Sequence, residues 1–195
     1  MFKLKNLFTR ALLALMLATG AGAALVGPTY HVTVDTRGYE GSGTLDFLFL
    51  GYDTSAPGNA FLSNFTGDYG SDSAFEGDAS GAIDSGVVLG TSDWYNSFAQ
   101  SVNLGGRFGF DLRFDVGPAG GPLGFSVGLF SDALGQYLGA DATLVSFELS
   151  PGQPDLIALD ASLVRVAEVP EPAGMAQLAL GLALMAWTAR QRRKR

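Results

Sequence analysis

The chain has 195 residues, 47% of them hydrophobic and only 16% charged, with 27 glycines and no cysteine. That length and apolar content allow one domain with a sizeable core, the glycines and sparse charge point to turn-rich β-structure, and the lack of cysteine excludes disulfides and thiol chemistry. The net charge of −7 is segregated: between residues 35 and 168 stand 18 of the 19 acids and only four arginines (Arg37, Arg107, Arg113, Arg165), a net of −14 that repels phosphate backbones and argues against a nucleic-acid partner.

At the N-terminus Lys3, Lys5 and Arg10 precede the apolar run 11–18, and the small residues Ala21-Gly22-Ala23 follow. This order predicts a secretory signal peptide over residues 1–23, removed by signal peptidase after Ala23, with Ala21 the other small residue of the site. The alternative is an uncleaved anchor helix, for which the run is short.

From 24 to 168 the dominant signal is period two. Phe108, Phe110, Leu112, Phe114 and Val116 alternate with polar residues or glycine over ten positions. Tyr30, Val32 and Val34 alternate in the same way, as do Leu45, Phe47 and Phe49, and Leu123, Phe125, Val127 and Leu129. Less regular runs lie at 83–89, 94–102, 143–149 and 156–166. Clusters rich in Gly, Pro, Asn and Asp at 51–58, 67–81, 117–122 and 151–154 read as the turns between them. One-sided strands without a long amphipathic helix predict an all-β domain, an antiparallel β-sandwich of jelly-roll-like form.

The C-terminus is tripartite. Val169-Pro170-Glu171-Pro172 is followed by seventeen uncharged residues, 173–189, and then by Arg190, Arg192, Arg193, Lys194 and Arg195 around Gln191. As a helix, 173–189 would rise about 25 Å, enough for the hydrocarbon core of a bilayer. The prolines keep the preceding segment extended, and the basic cluster holds the tail in the cytoplasm, leaving the domain outside. This end resembles the PEP-CTERM sorting signal of Gram-negative bacteria. The resemblance covers 169–195 and implies recognition by an exosortase, loss of the tail, and delivery to the cell surface or extracellular matrix, often alongside exopolysaccharide production. The alternatives are a plain membrane anchor that is never processed and, fitting less well, a GPI signal, whose hydrophobic tail carries no basic block. The segments 30–36, 41–47, 63–68 and 108–114 also resemble, in that order, a family of PEP-CTERM proteins with no assigned activity.

Several residues are candidates for chemistry. Gly124-Phe125-Ser126-Val127-Gly128 spells the G-x-S-x-G of hydrolase elbows, but Ser126 falls inside an alternating strand and the only histidine, His31, lies upstream of it, against the triad order. His31 sits on the polar face of the first strand without Cys or a second His to complete a metal site, and reads as a surface histidine. Asp68, Asp72, Glu76 and Asp78 offer hard oxygen ligands amid glycines. They suit Ca2+, the one ion the sequence suggests, or form a solvated acidic loop. Trp94, Tyr95 and Phe98, near Asn96 and Gln100, could make an aromatic platform for sugar rings, or could be sandwich packing. The resulting expectation is a non-enzymatic surface or matrix protein associated with exopolysaccharide. The alternative is a secreted carbohydrate-active enzyme, which a carboxylate pair in a deep cleft would favour.

Overall fold

In a computed structural model, residues 27–51, 54–170 and 181 are described. They form β1 (Thr29–Asp35), β2 (Ser42–Leu50), β3 (Gly58–Thr66), β4 (Tyr69–Glu76), β5 (Ala79–Ala82), β6 (Gly86–Leu89), β7 (Tyr95–Asn103), β8 (Arg107–Val116), β9 (Leu123–Ser131), β10 (Gln136–Tyr137), β11 (Val145–Leu149), β12 (Leu156–Leu159) and β13 (Val164–Val169). Two sheets result, ordered β13-β1-β8-β3-β6-β5 and β12-β11-β9-β2-β7-β4, with β10 paired to β9. The ladders are antiparallel throughout. The two sheets face each other as a β-sandwich, and the predicted fold class holds at that level.

Period two builds this arrangement directly. In β8 the even-numbered residues Phe108, Phe110, Leu112 and Phe114 are buried, and in β9 Leu123, Phe125, Val127 and Leu129 are. The inward phenylalanines interlock across the sheets: Phe47 of β2 meets Phe110 of β8 edge-on at 5.1 Å, and Phe114 of β8 meets Phe125 of β9 at 5.4 Å and Phe147 of β11 at 5.3 Å. Burying one phenylalanine contributes roughly 1.5–3 kcal/mol, so a domain without disulfides can rest on such a core.

Connections that cross between the sheets give the sandwich two distinct poles. The links β2–β3, β4–β5, β6–β7 and β8–β9 cross at one pole, and β1–β2, β3–β4, β7–β8 and β12–β13 cross at the other. The first is called here the terminal pole, because β1 begins and β13 ends there, with Thr29 paired to Val169.

Three expectations need correction. The stretch 67–81, read as a turn cluster, contains β4 and most of β5. Strand β4 is an edge strand whose sequence Tyr-Gly-Ser-Asp-Ser-Ala-Phe-Glu is mostly exposed, so it carries no apolar alternation. Strand β3 likewise carries no regular alternation, its pattern broken by an irregularity between Ser63 and Thr66. The run 156–166 is two strands in different sheets, divided by a turn in which Asp160 Oδ1 accepts from the Ser162 amide at 2.9 Å.

Among the described residues no helix is long and apolar enough to cross a membrane. The signal peptide with Ala21 and Ala23, the motif residues Glu171 and Pro172, the apolar run 173–189 (Gly181 apart), and the basic Arg190, Arg192, Arg193, Lys194 and Arg195 lie outside the described residues. Val169, read as the first residue of the sorting motif, is the last of β13, and Pro170 follows it exposed.

Candidate functional site

The terminal pole carries the most exposed large apolar side chain described, Trp94, at 73% exposure. It stands at the end of the β6–β7 link, immediately before β7. A buried amide fixes it there. Asn96 faces inward with no exposed surface and satisfies its whole side chain. Its Nδ2 donates to the Phe49 carbonyl at 3.1 Å and to the Asp93 carbonyl at 2.8 Å, while its Oδ1 accepts from the Asp78 amide at 2.7 Å. Asp78 holds the same link from the other side, its carbonyl accepting from Gly90 N at 2.7 Å and its Oδ2 from Ser92 N at 3.2 Å. Three backbone segments therefore converge under Trp94.

The β4–β5 turn depends on Gly77. Its φ of +71° is a left-handed value, and a Cβ there would run into the Tyr95 carbonyl. The close approach opens a groove of about 410 Å3 lined by Glu76, Gly77, Asp93, Trp94 and Tyr95. The Trp94 and Tyr95 rings lie 5.7 Å apart at 57°. A second groove, of about 320 Å3, shares Asp93 and Trp94 and runs past Ser55, Pro57, Thr91 and Ser92. Both are open to the surface. Aromatic faces flanked by carboxylates suit a sugar, whose C–H face packs on the ring while its hydroxyls donate to the acid oxygens.

The predicted aromatic platform is thus divided. Trp94 and Tyr95 line the groove, whereas Phe98 is core, stacked between Phe47 at 5.6 Å and Phe75 at 4.8 Å. Gln100 is also buried, and its Nε2 donates to the Gly70 carbonyl at 2.7 Å. Asp93 was not singled out from the sequence, although it adjoins Trp94.

The four acids considered for calcium do not gather. Asp68 precedes β4 and Asp78 follows it, at opposite poles, and an eight-residue strand between them is about 26 Å long. Asp68 Oδ1 accepts from Asn103 Nδ2 at 3.0 Å, Asp72 accepts from the Ser71 hydroxyl at 3.2 Å, Glu76 lines the Trp94 groove, and Asp78 serves the link above. Among the described residues no group of three or more His, Cys, Asp or Glu side chains is placed to hold a metal ion.

Ser126 lies in the middle of β9, opposite Ser146 on one side and Leu48 on the other, far from any strand-to-helix turn. His31 has a partner that sequence reading missed. Its Nδ1–H donates to Asp111 Oδ1 at 2.6 Å, and Asp111 Oδ2 accepts from Asn64 Nδ2 at 2.7 Å. His31 and Asp111 both fall on the outward face by alternation, but their pairing depends on β1 lying beside β8, a neighbour 80 residues on.

Comparison with known proteins returns no matching family model, no matching curated protein and no matching solved structure.

Proposed function

We propose that this chain is an exported surface or extracellular-matrix protein whose β-sandwich binds extracellular polysaccharide without catalysing a reaction on it. The observation that carries the reading is Trp94: a tryptophan 73% exposed, following a backbone carbonyl that a buried asparagine holds, beside a tyrosine and two carboxylates in an open groove. A tryptophan this exposed costs solubility and is best accounted for by a ligand that covers it. The open form of the groove favours holding a chain over enclosing a reacting bond. A second reading, a carbohydrate-active enzyme, is supported by Glu76 and Asp93 lining the same groove.

The strand order supports a jelly roll. Strands β1, β2 and β3 pair with β8, β7 and β6 respectively, as one long hairpin rolled across two sheets, although β5 joins β6 instead of completing the second sheet.

Export and sorting rest on the terminal sequences. Signal peptidase and an exosortase are the expected processing partners, and the membrane holds the precursor through 173–189. Pro170 is exposed directly after β13, so the motif begins where the packed domain stops. Deleting the gene tests the reading: polysaccharide retained on the cell surface or in the matrix should fall, and an unchanged matrix would count against it.

A further inference from the structure

The groove beside Trp94 has a charge pattern that narrows its ligand. Its two carboxylates, Glu76 at the end of β4 and Asp93 in the β6–β7 link, meet no hydrogen-bond donor and no cation among the described residues. The sheet that contains β4 and β7 has no lysine, arginine or histidine in any of its strands, whereas Asp46, Asp72, Glu76 and Glu148 all stand in them. The terminal-pole links 51–57, 77–78, 90–94 and 117–122 add no basic residue either. The domain's arginines are placed elsewhere. Arg37 and Arg107 bond Asp35 at the other pole, Arg113 lies over the Phe61 ring at 4.3 Å in the other sheet, and Arg165 is in β13.

A polymer bearing uronate, sulfate or phosphate would bring its charge against a field of the same sign, with no basic group to receive it. A neutral chain offers the two carboxylates only hydroxyl donors. A protonated amine on the sugar ring offers more to every group in the groove. The faces of Trp94 and Tyr95 attract a cation, each carboxylate accepts a charge-assisted hydrogen bond, and the C–H face of the ring still packs on the indole. Resting on the polysaccharide reading above, we infer that the groove selects chains containing amino sugars whose nitrogen carries no acyl group. An acylated nitrogen is uncharged, and its carbonyl sets a further acceptor against two acceptors. Capture therefore follows the number of free amines along the chain.

The test uses the full chain in an uncharged, sugar-free detergent and three probes: chitosan oligosaccharides with free amines, the same oligosaccharides N-acetylated, and oligogalacturonate. At low salt the free-amine probe should bind about tenfold more tightly than the acetylated one, the scale of two exposed ion pairs. Added salt should shrink that ratio, and oligogalacturonate should not bind. Glu76→Gln with Asp93→Asn should bring the ratio close to one. Asp84→Asn with Glu148→Gln removes as much charge from outside the groove and should leave the ratio near tenfold. Equal binding of the free-amine and acetylated probes, an equal fall in ratio in both double variants, or binding of oligogalacturonate would overturn the amine assignment. Binding of no probe, with the host's exopolysaccharide still captured through Trp94, would overturn that assignment alone. Capture of neither would overturn the polysaccharide reading with it.

Discussion

The Tyr30 hydroxyl donates a 2.7 Å hydrogen bond to Asp155 Oδ2, linking the first strand of one sheet to the β11–β12 loop of the other. Tyr30 is buried, its ring 5.2 Å from Phe147, so the bond ties the sheets together at the terminal pole. Tyr30→Phe keeps the ring and deletes the bond. It should lower stability by about 1–2 kcal/mol, seen as a fall of a few degrees in the melting temperature. An unchanged melt would mean that the bond contributes nothing.

Alkaline pH should destabilise the domain for a related reason. Burial, then the neighbouring Asp155, raises the Tyr30 phenol above its ordinary value, and burial alone raises Tyr69. The Tyr137 phenol, hydrogen-bonded to Asp46 at 2.6 Å, is pushed up to about 12, first by that bond and then by burial. Below pH 10.0 these phenols are protonated in both states and their stabilisation is fully present. Above it the unfolded chain releases protons that the folded chain keeps, so stability falls as pH rises through about 12. Asp35 acts in the opposite sense. Its hydrogen bond from Arg37 holds it below the usual carboxylate range, so its contribution is lost as pH falls below 3.8. Urea midpoints at pH 8 and pH 11 check the alkaline limb: the midpoint should be lower at pH 11, and Tyr137→Phe should reduce the difference.

Strands β8 and β9 were legible because each has one face in the core and one outside, so burial writes itself into every second residue. Strand β4 was illegible because an edge strand meets the core only at its two ends, Tyr69 against Phe108 and the exposed Phe75 against Phe98, with no alternation between them. The division of β12 from β13 was hidden because their apolar residues form one run, while the chain changes sheets at Asp160–Ser162. Of the site, the aromatic pair at 94–95 could be read. The role of Asn96 could not, because its partners are backbone groups of β2 and of two links between the sheets.

Calcium removal is a clean test of how the acids are used. Asp68, Asp72, Glu76 and Asp78 are spread along and beyond β4, so EDTA should leave the melting temperature of the domain unchanged. A chelator-dependent fall, reversed by added Ca2+, would show that these acids gather around an ion after all.

Processing should shorten the chain at both ends in its native host. Intact-mass and terminal-peptide mass spectrometry of surface material should find an N-terminus at or near Ala24, just after the Ala21-Gly22-Ala23 site, and a C-terminus at or near Pro170-Glu171-Pro172. Recovery of 173–195 still joined to the domain in the extracellular fraction would leave an ordinary anchor in place of a sorting signal.

The polysaccharide reading stands or falls on Trp94. Affinity electrophoresis of the released domain through gels containing the host's exopolysaccharide measures it directly. The wild-type domain should be retarded, and Trp94→Ala should migrate as in a sugar-free gel while melting at the wild-type temperature, since the ring is 73% exposed and outside the core. Retardation of Trp94→Ala equal to that of the wild type would contradict the assignment, and polysaccharide cleavage abolished by Glu76→Gln or Asp93→Asn would replace it with an enzyme.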